Sequence, residues 1–238
     1  MTEALLAALE PKPSDAILDL AGGTGDLGQA LAGRVARVLS TDFSPQMVDA
    51  ARRRGAEGVE HRVMDMQALD LPDDSFDGVV CRFGYMLVQD RTRAFAETRR
   101  VLKSGGRLAF ATWAPADRNP WATAYGPALI ERGLIAPPQP GEPGQFALSD
   151  REQIVPLVRE AGFAEIEVTE VPIEYRFASW ADYSRLVVSL AASLQEVLLP
   201  LDEKPREEIE TAARGRVERY RTDEGYVLPG VALVTGAS

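Results

Sequence analysis

The stretch ILDLAGGTGDLGQALAG, Ile17 to Gly33, confines this chain to a narrow set of folds. A short apolar run enters a glycine-rich turn, Gly23, Gly25 and Gly28 follow a G-x-G-x-x-G spacing, and a helix-like segment begins at once. Glycines between a strand and a helix permit a tight turn and let backbone N–H groups approach a ligand at a helix N-terminus. Such a turn belongs at the start of an open, mostly parallel α/β sheet.

The rest of the first half agrees, because short apolar runs alternate with helical segments. AILDLA reads as the first strand and RVARVLSTDF as the second. Ser44 and Pro45 then supply an N-cap and a first-turn proline for a helix that Gly55 ends. VEHRVMDM and FDGVVCRF read as strands three and four, a helix is predicted over about Arg91 to Leu102 with Gly105 as its left-handed cap, and RLAFATW is strand five. Beyond Trp113 the chain becomes rich in Pro, Gly and aromatics, which suits an irregular excursion with a short helix. Ser149 to Glu152 matches a capping box for a helix reaching Gly162, which Pro156 should kink or shorten. AEIEVTEVPIEYRF reads as strand six. Two helical patterns fill Trp180 to Thr222, the first with Tyr183, Leu186, Val187, Leu190, Leu194 and Val197 on one face, and YVLPGVALVTGAS is a last strand.

Charge and composition remove several functions. The net charge of −10 over 238 residues repels a phosphate backbone, and the longest basic run is Arg52 to Arg54, so nucleic acid is not an expected partner. No apolar run reaches membrane-span length and the first residues carry acids, so no membrane span and a cytoplasmic location are expected. Cys81 and His61 are the only residues of their kinds, which leaves no disulfide, no metal site and no Ser-His-Asp triad to expect.

The ligand of the turn follows from its acids. Asp19 ends the first strand and Asp26 lies inside the turn, where two carboxylates crowd a pyrophosphate but suit an ammonium and a sulfonium. S-adenosylmethionine carries both. Asp42, ending the second strand, is placed for ribose hydroxyls, a feature shared with nicotinamide cofactors. Asp65 after strand three discriminates better, since its carboxylate can accept the adenine amino group beside the Met66 backbone.

Four segments, DLAGGTGDLG, TDFSPQMVDAARRRG, VMDMQALDLPDDSFDGVV and RRVLKSGGRLAFATW, resemble in order and spacing the class I S-adenosylmethionine-dependent methyltransferases. AGGTGD and the FG after strand four are similar to the ubiquinone/menaquinone C-methyltransferase group and its small-molecule relatives. The resemblance covers about Ile17 to Trp113 and implies a Rossmann-like seven-stranded, mostly parallel sheet, its last strand antiparallel, with helical lid insertions. The expected layout is one domain over 1–238, with core at about 14–113 and 149–178, a last strand at about 225–238, and lids at about 114–148 and 179–222. By position the resemblance implies cofactor contacts at Asp19, Ala21, Gly23, Thr24, Gly25, Asp42, Phe43, Met47, Asp65, Met66 and Arg82. Three departures stand out: Ala21 replaces the broader family's first turn glycine, Arg82 replaces a small residue, and Tyr85-Met86-Leu87 stands where quinone enzymes carry an Arg-Asn pair.

Methyl transfer from a sulfonium is an in-line displacement with an already activated leaving group, so the protein has chiefly to align the acceptor and exclude water. His61 falls in strand three, no residue is assigned as catalytic, and a histidine- or metal-assisted mechanism is not expected. The acceptor is expected to be a small molecule, a secondary metabolite or an aromatic or quinone-like compound. Its contacts should come from loops over the strand ends: Arg82, Tyr85, Trp113, Asn119, Trp121, Tyr125 and Tyr183. Arg82 can instead serve the cofactor or a structural ion pair, the aromatics can pack a lid, and the leucine face after Tyr183 can form core or a homodimer contact. A nicotinamide-dependent oxidoreductase and a non-catalytic S-adenosylmethionine-binding protein are the competing readings.

Overall fold

Three apolar runs build the middle of the sheet. Ile17 and Leu18, Val38 and Leu39, and Val79 to Cys81 are buried at successive rather than alternate positions, as in parallel strands covered on both faces. They belong to β1 (Ala16–Leu20), β2 (Arg37–Asp42) and, after the more exposed β3 (Val59–Val63), to β4 (Phe76–Arg82). With β5 (Leu102–Trp113), β6 (Ile166–Phe177) and β8 (Gly225–Ala237) the strand order is β3-β2-β1-β4-β5-β8-β6, and a two-residue β7 (Arg221–Thr222) pairs with β8 off this path. β1 pairs in parallel with β2 and β4, while β8 runs antiparallel to β5. This is the seven-stranded, mostly parallel sheet with an antiparallel last strand that the resemblance implies.

The computed structural model describes residues 1–139, 141–190 and 192–238; Pro140 and Ala191, which fall in the two expected lid segments, lie outside the described residues. The chain divides into two compact units, one of Met1–Ala114, Gly141–Val171 and Ala232–Ser238, the other of Pro115–Pro140 and Pro172–Val231. β6 and β8 each run from one unit into the other.

The first unit carries α1 (Thr2–Leu9), α2 (Asp26–Leu31), α3 (Pro45–Arg54) and α4 (Arg91–Val101). Leu5, Leu6 and Leu9 of α1 join Ile17, Val80, Ala109 and Val234 in one buried cluster. A separate aromatic group forms where Tyr85 stacks on Phe95 of α4 at 4.2 Å and meets Phe110 of β5 edge-on at 5.2 Å. α3 begins as its sequence reads: Ser44 Oγ accepts the Met47 N–H, Pro45 opens the first turn, and Gly55 takes the left-handed cap.

The end of α4 differs from expectation. The helix turns at Leu102 directly into extended chain, and Gly105, at φ +73°, sits instead in a bulge. The pairing of β4 with β5 jumps there from Phe76–Leu102 to Gly78–Arg107.

The second unit holds α5 (Pro120–Thr123) and α6 (Gly126–Glu131). In the first unit again, α7 (Arg151–Glu160) starts one residue later than its expected capping box. Asp150 Oδ1 accepts the Gln153 N–H and Gln153 Oε1 accepts the Ser149 N–H, each at 2.8 Å. Pro156 sits inside this helix, which continues past it to Glu160. In the second unit α8 (Trp180–Leu190), α9 (Ala192–Leu198) and α10 (Glu203–Val217) are the described helices of the stretch that reads as two helical patterns. Tyr183, Val187, Leu194 and Leu198 are buried, while Leu190 is 64% exposed.

One close approach ties the strand ends together in the first unit. An ideal Cβ on Gly84 would lie 2.6 Å from both Ala21 Cβ and Cys81 Sγ, atoms fixed to neighbouring strands. Gly84 has φ −96°, so the requirement for glycine is one of space and not of backbone angle. Gly84→Ala is expected to lower stability by about 1–3 kcal/mol through overpacking, read as a lower urea midpoint with an unchanged slope.

Candidate active site

The glycine turn stands on a row of polar residues in register across three strands: Asp19 of β1 pairs with Ser40 of β2, and Ser40 with His61 of β3. Asp19 is fully buried. Ser40 Oγ donates to its Oδ2 at 2.8 Å, and Oδ1 has no hydrogen-bond partner. Burial pushes the Asp19 carboxyl up to about 7, against the opposing pull of the Ser40 bond and the Arg82 charge. An orphaned acceptor of this kind fits a cationic group brought to the turn. His61 Nε2 is likewise buried without a partner, and its Cε1 lies 3.3 Å from where a Cβ on Gly25 would stand. Burial and the neighbouring Arg52 lower its pKa, which keeps the imidazole neutral.

Ala21, Gly23 and Gly25 all adopt left-handed angles, at φ +53°, +56° and +88°. The Gly23 N–H donates to Asp42 Oδ2 and the Ser44 N–H to Asp42 Oδ1, both at 2.9 Å, so one carboxylate fixes the turn to the start of α3. Asp26 is not free. Arg54 Nη1 lies 2.6 Å from one oxygen and Arg82 Nη2 3.3 Å from the other, and Arg54 also reaches the Thr24 hydroxyl at 3.1 Å. This corrects the expectation that Asp26 adds open negative charge to the turn: two guanidinium groups neutralise it. Arg82 is engaged by this pair with Asp26, and its second nitrogen meets Thr2 Oγ1 at 3.4 Å.

Beside the turn, at the C-terminal ends of the strands, a cleft of 440 Å³ brings together Ala21, Asp42, Phe43, Asp65 and Met66. Its size is that of a small-ligand site. Asp42 and Asp65 have no ion-pair partner among the described residues, and they supply the open carboxylates that Asp26 does not. Gln67 shapes the second of them, its N–H donating to Asp65 Oδ1 at 2.8 Å and its amide nitrogen to both oxygens. Phe43 is 76% exposed and Met47 nearly half exposed, apolar groups available to cover a ring. A larger cavity of 510 Å³ between α1 and the start of β6 contains none of the turn residues.

Several sequence candidates for substrate contact are buried and hydrogen-bonded to protein neighbours. Tyr85 is fully buried and shares a 2.6 Å hydrogen bond with Thr98 Oγ1 of α4, because the tight turn of Tyr85–Leu87 directs it inward. Within the second unit Asn119 is also buried. Its Nδ2 donates to the Val231 carbonyl at 3.1 Å and its Oδ1 accepts the Val231 N–H at 3.0 Å, as a neighbouring strand would. Trp121 donates its indole N–H to Asn119 Oδ1 and stacks on Tyr175, and Tyr183 donates its hydroxyl to the Trp121 carbonyl at 2.8 Å. Tyr125 pairs with the Ser184 hydroxyl. These four residues form the packing of the second unit. In the first unit Trp113 ends β5 with its ring parallel to Phe83 at 4.2 Å.

Sequence reasoning missed Gln67, Leu87, Val88, Gln89 and Pro143, all of which line the cleft. Gln67 follows Asp65 and Met66 directly and was within reach of a motif reading. Pro143 carried no such signal. Among the described residues no group of His, Cys, Asp and Glu could hold a metal ion, and no helix is long and apolar enough to cross a membrane.

Comparison with known proteins accords with this geometry. Residues 18–110 match a methyltransferase-domain family. The chain is 35% identical over 180 residues to the ubiquinone/menaquinone biosynthesis C-methyltransferase of Acidiphilium cryptum, covering 68% of this chain and 71% of that protein. It is 42% identical over 123 residues to the demethylmenaquinone methyltransferase of Thermus thermophilus, covering 50% of this chain and 56% of that one. Among solved structures, phosphoethanolamine N-methyltransferase 2 of Haemonchus contortus, in complex with S-adenosyl-L-methionine, shares the fold at a TM-score of 0.61 and 18% identity, over all of this chain and 52% of that one. The chain belongs to the S-adenosylmethionine-dependent methyltransferase family, in the company of the ubiquinone/menaquinone C-methyltransferases, and is an enzyme that uses S-adenosylmethionine as its cofactor.

Proposed function

We propose that this enzyme methylates a small aromatic or quinone-like acceptor at a ring carbon, with adenosine seated in the cleft of Asp42 and Asp65 and the amino-acid end of the cofactor at the glycine turn. The observation that carries the cofactor placement is that cleft, where two carboxylates without cationic partners face apolar side chains at the strand ends. The acceptor class is supported by what the relatives of known name act on, quinone precursors methylated at carbon.

When bound, S-adenosylmethionine supplies a methyl group on a positively charged sulfur. Asp42 uses the acceptor capacity left after its two backbone bonds for the ribose hydroxyls. Asp65, held by Gln67, takes the adenine amino group, while Phe43 and Met66 provide apolar cover. Asp19, at the base of the turn, balances the ammonium. Methylation at a ring carbon displaces that carbon's proton, which would leave to solvent after the methyl has moved from sulfur to carbon. His61 does not line the cleft, so alignment of the acceptor carries the rate.

Asp19 gives the proposal a pH signature. Its folded pKa of about 7 exceeds the ordinary carboxyl value of 3.8. Between these limits the folded protein holds a proton that the unfolded chain has released. Stability from this group is therefore present at low pH and is lost as pH rises through the window, by about 4 kcal/mol in all. Asp19→Asn keeps the site neutral. In thermal melts without ligand the variant is expected to gain on the wild type from about pH 4 to pH 7, the gain levelling off above the folded pKa. Affinity of the wild type for S-adenosylhomocysteine should rise over the same range while that of the variant stays flat; parallel profiles would remove Asp19 from the cofactor site.

Asp42→Ala is expected to weaken S-adenosylhomocysteine binding by about 1.5–3 kcal/mol in calorimetry, and unchanged affinity would place the ribose elsewhere. His61→Gln should leave turnover on a demethylated quinone precursor within about threefold of wild type, since general-base loss costs about a hundredfold or more.

A further inference from the structure

Pro143 is far along the chain from every other residue that lines the cleft. Three hydrogen bonds hold its segment in the first unit. Arg91, the first residue of α4, donates from Nη1 to the Gly141 carbonyl at 3.1 Å and from Nη2 to the Glu142 carbonyl at 2.9 Å. The Gly144 N–H donates to the Met86 carbonyl at 3.0 Å, within the turn that places Leu87 in the cleft. Arg91 thus directs its planar fork at two consecutive neutral carbonyls, although partial burial of the guanidinium disfavours its charge. Such an outlay of desolvation is expected where a segment must be held in one place.

The same helix start also fixes the Asp65 part of the lining. The Asp90 N–H donates to Gln67 Oε1 at 2.8 Å, and Gln67 Nε2 donates to both oxygens of Asp65. Asp90 in turn caps the helix by accepting the Arg93 N–H. One helix start therefore both orients the Asp65 carboxylate and anchors the chain that carries Pro143, two parts of the same cleft lining.

We propose that Arg91 is a positioning residue for the cofactor, strapping residues 141–147 against the Tyr85–Leu87 turn so that Pro143 closes the outer edge of the adenosine cleft. The inference rests on the placement of adenosine proposed above. Arg91 touches no reacting atom, so it acts on how long the cofactor stays and not on the methyl-transfer step.

The test compares wild type, Arg91→Gln, Pro143→Gly and the double variant. S-adenosylhomocysteine should bind about tenfold more weakly to each single variant, chiefly through faster dissociation. The double variant should lose little more than either alone, because both changes open the same wall. With S-adenosylmethionine as substrate, KM should rise in step while kcat stays within about twofold. Hydrogen exchange at the Gly144 amide should accelerate in ligand-free Arg91→Gln. Wild-type affinity in both single variants overturns the proposal. A wild type that does not bind S-adenosylhomocysteine overturns the adenosine placement instead, and the Gly144 exchange rate, which needs no ligand, then judges the strap alone: an unchanged rate in Arg91→Gln disproves it.

Discussion

The parallel pairing of β1 with β2 on one side and β4 on the other is the constraint from which the site follows. From β1 the chain proceeds outward to β2 and β3 and then returns across β1 to β4, so the connections leave the carboxyl ends in opposite directions. A crevice opens where they part, and ligands of open α/β sheets bind there. In this chain that crevice receives the glycine turn from β1, Asp42 from β2, Asp65 after β3, and Gly84 after β4. No single element makes the site. Each contributes residues at or just beyond its C-terminal end, and the register of the strands sets their spacing.

Four aspartates near this crevice do different work because their surroundings differ. Asp19 is walled in by apolar strands and held toward the neutral form; its Oδ2 is bonded and its Oδ1 is not. Asp26 is claimed by two arginines. Asp42 spends part of its capacity on backbone N–H groups, and Asp65 is oriented by a side-chain amide. Identical in sequence, these carboxylates are separated by burial and by partners. The open negative charge lies with Asp42 and Asp65 in the cleft lining and not with Asp26 inside the turn.

This difference marks the boundary of what could be read in advance. Local chemistry was legible: the strand-turn-helix of Ile17–Gly33, the Ser44–Pro45 start of α3, and the acids at the strand ends are signals that neighbouring residues complete. Long-range pairing was not. Arg54 and Arg82 meet Asp26 from 28 and 56 residues away, and nothing beside Asp26 announces either one. Tyr85 follows a strand end, as a substrate residue would, yet a single short helical turn aims it at Thr98. Asn119 has the look of a polar loop residue and is consumed by the backbone of Val231. Leu190 belongs to the apolar helical face read from Tyr183 to Val197, yet it is 64% exposed. In each case tertiary partners outweighed a pattern that was locally sound.

Two strained residues show where the fold yields to its site. Ala21 directly follows β1 at φ +53°, and Phe83 directly follows β4 at φ +64°; the two strands are neighbours. Left-handed backbone costs a non-glycine residue about 1–2 kcal/mol, and such strain persists only where the surroundings fix it. Both residues turn their chains aside at the mouth of the crevice. Glycine at position 21 would relieve the angle, but the Ala21 methyl occupies the space beside Gly84 and contributes to the cleft wall. Phe83 gains a parallel stack on Trp113 and a backbone bond to the Ala111 carbonyl, which hold its turn in place. The strain is thus offset by packing on either side, and the strand ends part where the cleft opens.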